Sequence, residues 1–190
     1  MKQLTLLALL LVCLAPGCAD DDDDTLFNRI ALIGRADGWR LGEVVSDMDQ
    51  VVNGAIDALT EEELADDPRD RDELRLQYAP IIRTATQVND CDRDDVLFFV
   101  ENGVLRIIQG DVPCGSGGDP NPLARFNNRT YTTDAQATEI LIRATSGELL
   151  GTYDIEMLND DLFAFEREVT VADSVFTDVR YSIRYELVPN

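Results

Sequence analysis

The stretch at residues 95–110, DVLFFVENGVLRIIQG, decides the fold class of this chain. Two runs rich in β-branched and aromatic residues, VLFFV and VLRII, flank Asn102-Gly103. Asn-Gly is the strongest short signal for a β-hairpin turn, because both residues tolerate a positive φ. The stretch therefore predicts two adjacent antiparallel strands.

Further strands are expected after this hairpin, separated by turn signals such as Ser146-Gly147 and Asn159-Asp160. The last candidate, VFTDVRYSIRYELV, alternates apolar and polar residues most clearly, which is typical of a strand with one buried face. The segments that read as strands are ARFNNRTYTTD, ATEILIRATS, LLGTYDIEML, LFAFEREVTV and VFTDVRYSIRYELV.

One strand is also expected before the hairpin, in DGWRLGEVVSD, with Trp39, Leu41 and Val45 on one side. Counting it gives eight strands, seven of them consecutive. Short links between consecutive strands favour an all-β, eight-stranded antiparallel up-and-down barrel. Such a barrel removes exposed sheet edges, and its interior holds packed side chains or one small ligand.

A short helical insertion is predicted between the first and second strands, at about residues 55–88. Thr60 followed by Glu63 has the pattern of a capping box at a helix start. Pro80 lacks a backbone N–H, so we expect a helix here to end near Tyr78.

The N-terminus predicts export and a lipid anchor. Residues 1–17 have the layout of a signal peptide, with Lys2 followed by an apolar run too short to span a bilayer, which takes roughly 20 residues. Cys18 after Ala-Pro-Gly resembles the lipobox of bacterial lipoproteins, which implies lipidation of that cysteine; an ordinary cleaved signal is the alternative. Residues 18–25 contain five consecutive aspartates, which repel one another and predict a solvated tether. The barrel domain would then span residues 26–190.

The charge balance excludes some partners. The chain has 37 acidic and 16 basic residues, a formal net charge of −21, so nucleic-acid binding is not expected because it requires a basic surface. A surface this acidic stays soluble in salt, which favours a saline habitat; an acidic exported protein is the alternative. In an oxidising compartment the default for Cys91 and Cys114 is a disulfide.

Two stretches resemble a known family. GWRLGEVV is similar to the opening strand of bacterial (Bacteroidota-type) lipocalin-like lipoproteins, and CDRDDVLFFVENGVLRIIQGDVPC is similar to their central signature. The resemblance implies the same barrel, the lipid anchor at an outer membrane (periplasmic face or cell surface) and the disulfide. It also implies that an arginine of the last strand, Arg180 or Arg184, covers Trp39.

Metal and catalytic sites are not expected. Asp90, Asp92, Asp94 and Glu101 imitate a calcium loop, but Asp95 stands where that loop needs glycine. The chain has no histidine, which removes the commonest general base and transition-metal ligand. We therefore predict no enzyme activity, no metal and no cofactor.

The functional hypothesis is that the barrel binds a small hydrophobic or amphipathic molecule. The alternative is a structural or protein-interaction module of the cell envelope with a filled barrel, whose protein partner the sequence does not identify. The residues predicted to line the barrel are Trp39, Phe98, Val100, Ile107, Tyr153, Phe163, Phe165, Tyr181, Ile183 and Tyr185.

Overall fold

The computed structural model describes residues 28–112 and 122–190, in which eight strands close into one antiparallel barrel. Each strand pairs with the next in sequence, and the last pairs with the first, so the predicted barrel is confirmed. The Asn102-Gly103 hairpin is also present, and Gly103 has a φ of 76°. The strands are β1 (Trp39–Ser46), β2 (Val96–Val100), β3 (Val104–Ile108), β4 (Arg129–Thr133), β5 (Glu139–Arg143), β6 (Leu149–Leu158), β7 (Phe163–Thr170) and β8 (Arg180–Pro189).

A β-bulge changes the inner row of β1. The pairing of β1 with β8 shifts by one residue around Gly42. As a result Val44 is buried and Val45 is 45% exposed. The predicted row of Trp39, Leu41 and Val45 is therefore wrong at its last member, because a bulge inserts one residue and reverses the alternation after it.

The two faces of β2 are the reverse of those predicted. Leu97 and Phe99 are buried inside the barrel, whereas Phe98 is half-buried and Val100 is 38% exposed. Phe98 and Val100 therefore lie on the outer face and do not line the barrel. The run VLFFV is apolar on both faces, so its own pattern carries no information about which face is inside.

The barrel interior is filled by aromatic and aliphatic side chains. Neighbouring ring centroids in this core lie 5.1–6.3 Å apart, within the usual range for contacting aromatic pairs. Phe126 enters from the 3₁₀ turn Ala124–Phe126 and contacts three of these rings. The core rings are Trp39, Phe99, Phe126, Tyr153, Phe163, Phe165 and Tyr185.

The helical insertion lies between β1 and β2, as predicted, but it is longer than expected. It contains α1 (Met48–Ala58), α2 (Glu61–Ala65), α3 (Arg71–Thr86) and α4 (Asp90–Arg93). The predicted capping box is present: Glu63 N donates to Thr60 Oγ1 at 3.2 Å, and Thr60 N donates to Glu63 Oε2 at 2.8 Å.

Pro80 does not end its helix, contrary to the prediction. α3 continues past Pro80 to Thr86. Pro80 and Leu76, which precedes it by one turn, are both exposed, so water can satisfy the carbonyl that loses its backbone donor. Ile82 packs against a buried cluster and extends the helix's apolar face beyond the proline.

The buried cluster that Ile82 contacts joins the insertion to the β7–β8 connection. The predicted last strand began at Val175, but β8 begins at Arg180, because Asp178 has a φ of 54° that interrupts extended backbone. Val175 and Val179 pack instead against the helices. The buried members are Met48, Val52, Ile56, Leu59, Leu74, Tyr78, Val171 and Phe176.

The predicted signal peptide (residues 1–17), the tether (residues 18–25), Cys18 and Cys114 lie outside the described residues. Among the helices described, none is long and apolar enough to cross a membrane.

Candidate functional site

The two ends of the barrel carry different structures. Because neighbouring strands are antiparallel, the helical insertion and the β3–β4, β5–β6 and β7–β8 connections all leave from one end, which we name the loop end. The opposite end carries the β2–β3, β4–β5 and β6–β7 turns and a helical segment at residues 28–33. There Trp39 Nε1 donates a hydrogen bond to Ile33 O at 3.1 Å. The helical segment therefore packs against the end of the barrel opposite the loop end.

A cleft of about 380 Å³ lies at the loop end. Its apolar floor contains Phe126, Ile142 and Tyr153, all at most 3% exposed. Small-molecule sites are typically concave and mostly apolar, with a few polar groups. The lining residues are Arg125, Phe126, Arg129, Ile142, Leu150, Tyr153 and Arg167.

Arg167 reaches the cleft from the inner face of β7, the face that also carries Phe165. Its guanidinium carbon lies 5.3 Å from the Tyr153 ring centroid, and its Nη1 donates to Leu150 O at 3.2 Å. Gly151 makes room for this side chain, because a Cβ there would lie 3.0 Å from Nη1. An arginine is thus built into the inner row of the barrel.

Two further arginines, Arg125 and Arg129, line the cleft, and together with Arg167 they form what we name the arginine rim. Arg129 is the first residue of β4 and faces the same side as Tyr131. Its Nε donates to Arg125 O at 3.3 Å. The guanidinium carbon of Arg125 lies 5.6 Å from the Tyr185 ring centroid. These contacts join the 3₁₀ turn to β4 and β8, and Arg167 of β7 lines the same cleft.

Two buried polar atoms in this region have no hydrogen-bond partner within the described chain: Arg167 Nε and the Tyr185 hydroxyl oxygen. Burial raises the pKa values of the Tyr185 and Tyr153 hydroxyls, and the nearby positive charges of Arg125 and Arg167 offset only part of that effect. Both tyrosines are therefore neutral near pH 7 and keep their donor hydrogens.

The three cleft arginines, Arg125, Arg129 and Arg167, have no carboxylate partner among the described residues, and they share this with six arginines outside the cleft: Arg29, Arg40, Arg83, Arg93, Arg106 and Arg143. None of the ion pairs found within residues 28–112 and 122–190 includes them. The arginines in those ion pairs are Arg35, Arg69, Arg71, Arg75, Arg180 and Arg184.

A larger surface groove of about 630 Å³ runs along α2 and the start of α3, but its charges are already paired. Arg69 bridges Asp67 and Asp173 at 2.7 and 2.9 Å, and Arg71 pairs with Glu61 at 2.8 Å. Tyr78 also donates to Asp173 at 2.9 Å. This network holds the insertion against the β7–β8 connection, which is a structural role.

The predicted lining residues fall into four groups. Only Tyr153 contributes to the cleft, and Phe98 and Val100 face outward. Ile107 and Tyr181 are partly buried against the core. The remaining residues are buried in the filled interior: Trp39, Phe163, Phe165, Ile183 and Tyr185.

The cleft arginines were not predicted from the sequence. One signal was available: Arg167 follows Phe163 and Phe165 at a spacing of two, which places a charge in an inward row. No such signal exists for Arg125 and Arg129, because the fold alone brings them beside β7.

Trp39 is covered by a different arginine from those expected. The Arg35 guanidinium carbon lies 4.8 Å from the Trp39 ring centroid, and Arg35 also pairs with Asp37 at 2.7 Å. Arg184 lies in ion contact with Glu186 at 2.9 Å instead, and Arg180 pairs with Glu168. The covering cation therefore comes from the turn that follows the helical segment at residues 28–33, at the end of the barrel opposite the loop end.

Two aspartates of the calcium-loop pattern at residues 90–101 accept hydrogen bonds from backbone N–H groups. Asp92 is fully buried and accepts a hydrogen bond from Asn89 N at 2.8 Å, which caps α4. Asp94 accepts a hydrogen bond from Val112 N at 2.7 Å. Within the described part of the chain, no group of three or more acidic, cysteine or histidine side chains is arranged to hold a metal ion.

Cys91 is buried in α4 with 6% of its surface exposed. Its predicted partner Cys114 lies outside the described residues, so the pairing stays a prediction.

No family model, curated protein or solved structure matched this chain.

Proposed function

We propose that this chain is an exported, lipid-anchored binding protein that holds a small amphipathic molecule in the cleft at the loop end of its barrel. One observation carries the proposal: a cleft of about 380 Å³ has an apolar floor and is bordered by three arginines that form no ion pair among the described residues. That volume lies within the roughly 300–1,000 Å³ of small-molecule sites. The export and anchor parts rest on residues 1–25 of the sequence.

The proposed binding position is the mouth of the barrel. The interior below the cleft is filled by contacting rings such as Phe126, Phe165 and Tyr185. A ligand would lie over Phe126 and Tyr153 with its apolar part against their rings. Its polar end would face the arginine rim.

The alternative is a protein-interaction module of the cell envelope. The outer face of the β2–β3 hairpin favours it, because Val100 and Ile108 are 38% and 48% exposed there, and Phe98 lies on the same face. Exposed apolar surface of this kind can mark an interface. The ligand titration below separates the two proposals.

Titration with N-phenyl-1-naphthylamine, an uncharged dye that fluoresces in apolar surroundings, tests the cleft. The full chain, extracted in mild detergent and exchanged below the detergent's micellar concentration, should bind it at one site. Leu150→Glu should weaken binding by about tenfold, because it replaces an exposed apolar side chain of the cleft lining with a charge. Leu149→Glu is the matched control, since Leu149 is similarly exposed on β6 but does not line the cleft.

Equal loss of dye binding in both variants would contradict the proposal, as would no saturable binding by the parent chain. The anchor is tested separately: labelled fatty acid should be incorporated in cells, and Cys18→Ala should abolish incorporation. Retained labelling in that variant would refute lipidation at Cys18.

A further inference from the structure

We infer that the molecule bound in this cleft carries an oxyanion head group, such as a carboxylate, sulfonate or phosphate ester, which is held by Arg125, Arg129 and Arg167. The inference rests on the proposed function and names the chemical class of its ligand.

The geometry of Arg167 is the first support. This arginine projects from an inward row of the barrel, and its buried Nε has no hydrogen-bond partner within the described chain. A buried polar donor without a partner is costly, and for a charged group the cost is larger. An oxyanion at the rim would supply both the missing acceptor and the missing charge.

The grouping of the three arginines is the second support. Arg129 Nε donates to Arg125 O at 3.3 Å, so the Arg129 guanidinium lies against the backbone of Arg125, and both residues line one cleft with Arg167. Like charges around one concave surface repel one another. They are stabilised together by a ligand of opposite charge, and the planar guanidinium fork matches oxyanions with two parallel hydrogen bonds.

Other head groups fit less well. A cationic head would be repelled by three guanidiniums. A neutral head over the cleft would remove them from water without returning full charge-assisted hydrogen bonds. The apolar floor of Phe126 and Tyr153 also selects against a bare inorganic ion, since it would leave that floor uncovered.

The chain outside the cleft is rich in acidic residues, in contrast to the arginine rim. The chain has 37 acidic residues against 16 basic ones, so most of its surface repels anions. At physiological salt the Debye length is about 8 Å, so distant acids are screened while contacts within the cleft are not. An anion that binds this chain is therefore expected at the arginine rim.

A matched pair of dyes tests the inference. 8-Anilinonaphthalene-1-sulfonate has the same two aromatic groups as N-phenyl-1-naphthylamine and adds a sulfonate. We expect the sulfonate dye to bind the full chain at least about tenfold more tightly, as charge-assisted hydrogen bonds imply. Arg167→Gln and, independently, Arg129→Gln should reduce that affinity ratio by about tenfold. Arg143→Gln is the control, because it removes the same charge from β5 without touching the cleft.

Competition identifies the ligand class. 1-Naphthoate should displace the sulfonate dye, while inorganic phosphate at equal concentration should not. Equal displacement by phosphate would overturn the amphipathic part of the inference.

The outcomes separate the two proposals. If both dyes bind equally, or if the ratio is unchanged in Arg167→Gln and Arg129→Gln, the oxyanion inference fails while the cleft proposal stands. If neither dye binds saturably, the cleft proposal fails and the inference fails with it. A ratio that falls equally in Arg143→Gln would also refute a local role for the rim.

Discussion

Adjacent phenylalanines on β2 give a direct test of the barrel interior. Phe99 is 3% exposed, and its ring centroid lies 5.1 Å from that of Tyr131 and 5.4 Å from that of Phe163. Phe98, one residue earlier, is half-buried on the outer face. Phe99→Ala and Phe98→Ala remove the same atoms from opposite sides of one strand.

The expected magnitudes follow from burial. Truncating a fully buried phenylalanine costs about 3–5 kcal/mol, since both the transfer free energy and the cavity contribute. Phe98 keeps part of its surface in water and leaves no enclosed cavity, so its truncation should cost about 1 kcal/mol. The two variants should therefore differ in unfolding free energy by about 2–4 kcal/mol.

Urea denaturation of the full chain at pH 7, followed by circular dichroism, measures this difference. The linear dependence of free energy on urea concentration gives the unfolding free energy of each variant, provided the slopes agree. Equal losses in the two variants, or a larger loss for Phe98→Ala, would refute the inward placement of Phe99. The β2 register, and with it the assignment of the core, would then be wrong.

Two further predictions concern the ion network and the cleft. Asp173→Asn should lower the unfolding free energy at pH 7 by about 2 kcal/mol, because it weakens charge-assisted bonds from Arg69. Hydrogen bonds from Arg69 hold the pKa of Asp173 well below its ordinary value, so this stabilisation is complete above the unfolded pKa of about 3.9 and is lost as the pH falls further below it. A gap between parent and variant in urea titrations that stays constant from pH 7 to pH 2.5 would contradict this assignment. Gly151→Ala should shift both the Arg167 guanidinium and the Tyr153 ring and lower sulfonate-dye affinity several-fold, because its Cβ would lie 3.0 Å from Arg167 Nη1 and 3.0 Å from Tyr153 Cε2; an unchanged affinity in the same dye titration would show that the cleft does not need that space.

Much of the fold could be predicted from local patterns. Asn102-Gly103 marks a turn through the φ preference of neighbouring residues, and the Thr60–Glu63 capping box spans only three positions. Strand number and order follow from alternation and short links, which are also local. Predictions failed where the tertiary environment outweighed a local preference. Proline usually ends a helix, but Pro80 stays within α3 because its side of that helix faces water.

The candidate site could be predicted only in part. Tyr153 was expected to line the barrel and does line the cleft. Arg125, Arg129 and Arg167 were not expected, since nothing within a window of a few residues relates the first two to the third.

By itself, then, the sequence determined an eight-stranded closed barrel with a helical insertion, because alternation, turns and caps depend on residues close together along the chain. Tertiary structure alone decided which face of β2 points inward, since VLFFV is apolar on both sides and packing selects between them. It also decided that Arg35 covers Trp39. The arginine rim is likewise a tertiary feature, because it exists only when closure of the barrel brings β4 and β7 to the same cleft.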